Sequence, residues 1–317
     1  MVQTETYFES QDGAKLFLYR WRSEQERPRA VLHVVHGMAE HALRYRFLAE
    51  RMIQAGIEVW AADQRGHGKT ADLMINGRDR GGLLGHCADG NGYVPVTGDV
   101  YALNCEIRKA VGVPVYMLGH SWGSFIVQNY IEEYSHDLVV EGCILSGTKG
   151  PGDFTVRAGS PLLALLAALR GQRNGSRIAR ALADGQYNKA FRPNRTQFDW
   201  LSRDEEVVDK YVADPLCGFL CSSGFYRDIA RLLNKIYRPE AMARINPRLF
   251  VYVFSGSADP VGKMGAGPTD LVNAYRELGI NDLEFVLYPG ARHETLNETN
   301  REEVYSNLLS WINKHCG

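Results

Sequence analysis

The sequence predicts an α/β fold: a mostly parallel central sheet with helices on both faces, interrupted by one helical insertion. Near-continuous Val/Ile/Leu/Ala runs at 30–35, 57–62, 113–118 and 139–145 have the pattern of strands buried on both faces. Helix-period segments lie between them, and strand–helix–strand repetition at this spacing builds a parallel sheet through right-handed crossovers. The alternation stops after Gly147 and resumes at Leu249, which marks the insertion.

The elements follow in order along the chain. Segments 4–8 and 15–21, joined by Gln11-Asp12-Gly13, predict an antiparallel hairpin at the sheet edge. The strand at 30–35 leads to a helix over 45–54 and the strand at 57–62. A helix over 99–110, the strand at 113–118, a helix over 124–134 and the strand at 139–145 complete the first half. Residues 148–235 carry helical patterns, a loop-like stretch at 171–176 and no strong strand signal. They are assigned to a helical cap, and 1–147 with 236–317 to the core. Ser202 and Glu205 have the spacing of a capping box at the start of a cap helix. A strand at 249–254, a helix near 269–278 and a strand at 283–287 resume the core. The last helix, 300–314, places Val304, Leu308 and Ile312 on one face, with Asn300 and Glu303 as a second capping box.

The 317 residues, 45% hydrophobic and 23% charged, have the composition of an ordinary globular protein and exclude a disordered chain, a collagen or a coiled coil. With 36 basic against 37 acidic residues there is no basic excess to hold a phosphate backbone, so nucleic acid is not an expected partner. The N-terminus lacks a basic segment followed by an apolar one. The longest aliphatic run, 162–169, is far short of the roughly 20 residues that cross a bilayer. Six scattered cysteines without a CxxC pair read as reduced thiols of a cytoplasmic protein rather than a zinc site.

Gly119-His120-Ser121-Trp122-Gly123 follows a strand and opens a helix. In that context G-x-S-x-G is a nucleophile elbow, a sharp turn that strains the serine backbone and exposes its hydroxyl. The flanking glycines are needed where a Cβ would strike the neighbouring strand or helix. A serine nucleophile needs a base, and the base an orienting acid, in the chain order Ser, Asp/Glu, His. Asp259 in Ser257-Ala258-Asp259-Pro260 and His293 in Gly290-Ala291-Arg292-His293 supply them from loops at strand C-terminal ends, where open α/β sheets place their sites. His36-Gly37-Met38-Ala39 follows the strand at 30–35, so the backbone N–H groups of Met38 and Trp122 are the expected oxyanion donors. His36 is expected to brace that loop. Its spacing from His41 makes no metal site, because no carboxylate or cysteine pattern completes one.

These stretches resemble the α/β-hydrolase family and, within it, the monoacylglycerol lipase and lysophospholipase group. The resemblance runs from His36-Gly37-Met38-Ala39-Glu40-His41 through Arg44-Tyr45, Asp63-Gln64-Arg65-Gly66-His67-Gly68 and the Ser121 elbow to the segments around Asp259 and His293. Asp199-Trp200-Leu201-Ser202-Arg203 and Asp214-Pro215-Leu216-Cys217 resemble the group's cap landmark. The resemblance implies the α/β-hydrolase fold and makes 63–68 a structural turn near the oxyanion loop. It also implies that Glu40 and Arg44 line the alcohol side of the pocket; the other reading of the pair is a solvated helix start. One departure is Leu296, where the lipases carry a polar residue one turn after the histidine.

The expected activity is hydrolysis of a single-acyl lipid ester, a monoacylglycerol or lysophospholipid, with no cofactor and no metal. The rivals are a short-chain carboxylesterase or peptidase of the same fold, and a non-catalytic ligand-binding protein. Leu162, Leu165, Leu166 and Leu169 cover more than one face of a helix. They are expected to line an acyl tunnel and to touch a membrane surface transiently; the alternative is packing under the other cap helices. The oligomeric state is left open.

Overall fold

A computed structural model describes residues 1–71 and 83–316; part of the predicted core, 72–82, lies outside the described residues. Eight strands form one sheet in the order β1-β2-β4-β3-β5-β6-β7-β8. They are β1 (Val2–Glu9), β2 (Lys15–Arg22), β3 (Ala30–Val35), β4 (Ile57–Ala62), β5 (Val115–His120), β6 (Gly142–Ser146), β7 (Phe250–Gly256) and β8 (Leu283–Tyr288). The hairpin β1–β2 is antiparallel and lies at the edge, β2 meets β4 antiparallel, and the rest of the sheet is parallel. The fold is that of an α/β hydrolase.

Helices cover both faces. The core helices are α1 (Arg46–Gln54), α2 (Tyr93–Val111), α3 (Trp122–Tyr134), then, after the insertion, α8 (Pro239–Met242), α9 (Ala266–Glu277) and α10 (Arg301–His315). Strand β3 shows why its run is unbroken: Val31 and Val35 pack with α2 and α3 residues, while Leu32 and Val34 pack with α1 and α10 residues. Val304, Leu308 and Ile312 are fully buried, as their spacing requires.

Between β6 and β7 lie α4 (Phe154–Arg170), α5 (Arg177–Ala183), α6 (Glu205–Ala213) and α7 (Ser223–Ile236). The last of these bridges to the core, with Phe225 against Trp122 at 5.0 Å between ring centroids and Lys235 paired with Glu133 at 2.6 Å. Two capping expectations need correction. The residue capping α6 is Asp204, which accepts the Glu206 and Val207 N–H groups; Ser202 instead accepts the Asp204 N–H and donates to the Asn297 carbonyl. The shift follows from Arg203, whose N–H and guanidinium both go to Glu298 and draw 202–203 toward the core. At α10, Asn300 occupies the cap position, but its Oδ1 accepts from the Arg203 guanidinium rather than from a backbone N–H, and its amide N–H donates to Glu303.

A larger correction concerns the aliphatic run. Leu163 and Ala167, one turn apart, are the buried residues of α4. Packing through them turns Leu162, Leu165 and Leu169 outward, Leu165 to 53% and Leu169 to 75% exposure, with Leu166 half-buried. Among the described residues no helix is long and apolar enough to cross a membrane.

Candidate active site

Because β3, β5, β7 and β8 are parallel, their C-terminal ends lie along one edge of the sheet, and each delivers one part of the site. At the end of β5 the chain reverses into α3 through Ser121, at φ 52° and ψ −119°, a conformation that strains any residue with a Cβ. The close approach that forces this turn is measured at Gly123: a Cβ there would lie 2.0 Å from the Val35 carbonyl oxygen and 2.6 Å from that of His36. Gly123→Ala should therefore destabilise at the upper end of the roughly 1–3 kcal/mol typical of overpacking. Gly98→Ala, inside α2 with nothing within 4 Å of its Cβ, should instead be neutral to stabilising. Urea unfolding of the two variants checks the contrast.

After β7, Asp259 is fully buried, and it accepts the Val261 N–H at 2.9 Å and the Ser255 hydroxyl at 3.2 Å. His293, in the loop after β8, places Nδ1 3.0 Å from each Asp259 carboxylate oxygen. Burial pushes the Asp259 carboxyl up, but the imidazole and the Val261 N–H outweigh it and hold it below its ordinary range, so it is charged. Gly256 lets the two loops meet, since a Cβ on it would lie 2.0 Å from the Ala291 carbonyl oxygen. Ser121 and His293 line one cavity. No hydrogen bond between their side chains forms among the described residues, a looseness common before substrate arrives.

The loop after β3 carries Met38, and its backbone is strained at Ala39, φ 54°. Neither the Met38 nor the Trp122 N–H is used in a hydrogen bond among the described residues. Neighbouring groups hold the loop from every side. Glu40 accepts the Gly37 N–H at 2.5 Å. His36 Nε2 accepts the Gln64 N–H, and the Gln64 amide spans from the His36 carbonyl to the Trp122 indole. The Ala39 carbonyl accepts the Gly218 N–H and the Tyr211 hydroxyl, both from the insertion. His36 thus braces the loop. Gln64, which ties the loop after β3 to the start of α3, carried no signal in the sequence beyond its place in the 63–68 turn.

Glu40 is buried and the Arg44 side chain is only 12% exposed, so the pair is not a solvated helix start. Arg44 lies between two carboxylates, 2.6 Å from Glu40 and bidentate to Glu294 at 2.7 Å. Burial disfavours these charges, yet Arg44 holds Glu40 below the usual carboxylate range. Glu40 lines the cavity; Arg44 lies behind it.

The cavity over Ser121 encloses about 30 Å³, room for a water or two. Its roof comes from the insertion: Arg180, Asp184, Phe198, Trp200, Tyr211 and Tyr226. Leu162, Leu165, Leu166 and Leu169 line none of it, which corrects the tunnel expectation. The resemblance landmark instead touches the histidine directly, with Trp200 stacked obliquely on His293 at 5.1 Å and its carbonyl accepting the His293 N–H.

His36 and His41 do not converge. His41 does meet Asp214 and Cys217, their ligand-type atoms lying within 4.8 Å of one another, as do those of Asp282, Glu284 and His315. His41 is already hydrogen-bonded to Asp214 at 3.0 Å, and Lys314 pairs with both acids of the second group.

Residues 26–300 match the Hydrolase_4 family, described as serine aminopeptidase, S33. The monoacylglycerol lipase of Mycolicibacterium smegmatis is 30% identical over 99% of this chain and 98% of its own length. Human monoglyceride lipase is 27% identical over 96% of this chain and 88% of its own. A thermostable carboxyl esterase from Bacillus coagulans, solved with glycerol, superposes with a TM-score of 0.89 at 27% identity, with full coverage of both chains. With its fold, its elbow and this similarity over nearly the whole length, the chain belongs to the Hydrolase_4 family of α/β hydrolases and is similar to the monoacylglycerol lipases.

Proposed function

We propose that the chain is a serine carboxylester hydrolase that cleaves a single-acyl lipid ester, a monoacylglycerol or a lysophospholipid, through an acyl-enzyme. The observation that carries this reading is the Asp259–His293 pair, whose histidine lines the same cavity as the strained Ser121. His293 takes the Ser121 proton as Oγ attacks the ester carbonyl, and Asp259 fixes the imidazole tautomer and stabilises the imidazolium. The N–H groups of Met38, in the loop after β3, and of Trp122, at the start of α3, hold the oxyanion. His293 then protonates the departing alcohol and activates the water that releases the acid.

Residues 148–235 act as a cap over this machinery. In its closed form the cavity is too small for an acyl chain, so Trp200, Phe198 and their neighbours part to admit one. Those side chains, with Leu201 and Phe219, give the acyl chain an apolar wall. Outside, Phe154, Leu162, Leu165 and Leu169 stand at helical spacing along α4, beside exposed Ile178 and Leu182 of α5. An apolar stripe of this kind marks a contact surface, and we assign it to transient docking on a lipid surface. Replacing Leu165 and Leu169 by Ser is expected to lower binding to phosphatidylcholine vesicles and turnover of emulsified long-chain esters. Rates on a soluble butyrate ester and the melting temperature should stay unchanged, because both side chains already face water.

The reaction itself is tested on monoacylglycerols, lysophospholipids, aminoacyl p-nitroanilides and p-nitrophenyl esters of graded length. With each buried methylene contributing about 0.8 kcal/mol, four more raise kcat/KM by up to roughly two orders of magnitude. A profile that peaks at acetate would make the chain a short-chain esterase, and preference for the anilides a peptidase.

A further inference from the structure

Three carboxylates line the cavity over Ser121: Glu40, Glu294 and Asp184. Two of them are fully occupied. Glu40 accepts the Gly37 N–H, the Tyr45 hydroxyl and Arg44; Glu294 accepts Arg44 through both oxygens and Asn297 through one. Asp184 differs. Its side chain is 13% exposed, and its nearest cation, Arg180 Nε, stands 3.8 Å away, beyond hydrogen-bond range. Among the described residues its buried Oδ1 has no hydrogen-bond partner.

Among the described residues the one charged partner of this acid is Arg180, an i,i+4 ion pair too long for a hydrogen bond. Asp184 is the C-cap of α5, where a helix disfavours negative charge, and burial pushes its carboxyl up to about 6. A buried acceptor left empty is destabilising, and a residue kept under three such penalties at the wall of a reaction cavity points to a donor that arrives with the substrate. The place fits. Arg180 Nη1 reaches the Gly218 carbonyl at 3.5 Å, and the Gly218 N–H bonds the Ala39 carbonyl at 2.8 Å, next to Met38. Asp184 thus shares one cavity with Ser121 and the Met38 loop, where the ester carbonyl is expected to bind.

We propose that Asp184 accepts a hydrogen bond from a free hydroxyl on the alcohol portion of the ester, and that this selects esters of uncharged polyols over phosphate-bearing ones. Charge supports the second half. Among the described residues Glu40 and Glu294 share one arginine and Asp184 is balanced only by Arg180, so their carboxylates outnumber the arginines by one, a balance that repels a phosphate. The inference rests on the ester-hydrolase reading above and names the head group it takes.

The test compares kcat/KM of the wild type, Asp184→Ala and Asp184→Asn on three esters of one fatty acid: a 1-monoacylglycerol, the methyl ester and the anionic lysophosphatidylglycerol. Asp184→Ala should lose about tenfold to a hundredfold on the monoacylglycerol, the range of a hydrogen bond to a charged group, chiefly in KM. On the methyl ester, which has no hydroxyl to offer, it should stay within about twofold. Asp184→Asn keeps an acceptor oxygen and should restore most of the loss. The melting temperature of Asp184→Ala should not fall, since no bond is broken. Equal losses on the monoacylglycerol and methyl ester, no loss on either, or faster wild-type cleavage of the lysophospholipid than of the monoacylglycerol would each overturn the assignment. A wild type inactive on all three esters would overturn the hydrolase reading itself.

Discussion

Ser121→Ala, His293→Ala and the double variant are expected to lose similar activity, several orders of magnitude in kcat, on any ester. The three residues act as a unit, so removing the base leaves a hydroxyl that does not ionise and removing the hydroxyl leaves a base with nothing to activate. Asp259→Asn should lose somewhat less. It keeps the 3.0 Å geometry to Nδ1 but no longer stabilises the imidazolium or enforces the tautomer. Single-turnover and steady-state rates on a p-nitrophenyl ester check all four. General-base catalysis contributes about a hundredfold to ten-thousandfold, so a His293→Ala enzyme that kept more than about a tenth of the wild-type rate would remove His293 from the mechanism.

Arg44→Ala is expected to have the largest effect on stability. The guanidinium bridges Glu40 and Glu294, both buried, and lies 4.8 Å from the Tyr211 ring. Without it two carboxylates face each other away from water. Breaking a buried ion pair by removing one partner costs about 3–5 kcal/mol, which lowers the melting temperature by roughly 4–8 °C for a chain of this size. Activity should fall as well, even on short esters. Glu40 anchors the Gly37 N–H beside Met38, and repulsion from Glu294 displaces that anchor. A co-measured thermal melt and butyrate-ester assay checks both effects. An unchanged melting temperature would mean that Glu40 and Glu294 are held by partners other than Arg44.

The sheet was legible because its strands are buried on both faces, which writes them as unbroken apolar runs: Ala30–Val35 and Ile57–Ala62 are observed with the bounds expected. Ends were less legible where a run continues into a turn. The strand expected at 113–118 is observed at Val115–His120, because Gly119 and His120 still pair with β6 although neither has strand-like character. The convergence of Ser121, Asp259 and His293 at one edge was legible because a nucleophile, acid and base are expected in that chain order and the parallel sheet puts their loops on one side. What stayed hidden depends on contacts between distant segments. Arg44 and Glu294 are 250 residues apart, so the ion pair that buries a supposed helix start leaves no local trace. The direction of α4 is set by which of its apolar positions meets α7, and composition alone made every leucine an equal candidate. Asp184 carries no sequence signal of its own, and its place on the cavity wall follows only from how 148–235 fold over Ser121.

The central claim is that Ser121 is the nucleophile of an ester hydrolase, and covalent labelling tests it most directly. Wild-type protein and Ser121→Ala are treated with a long-chain alkyl fluorophosphonate and read by peptide mass spectrometry. The account predicts one phosphonyl adduct, on Ser121, that abolishes ester turnover in step with labelling and is absent from Ser121→Ala. An adduct on another residue, or ester turnover that survives complete labelling of Ser121, would contradict it.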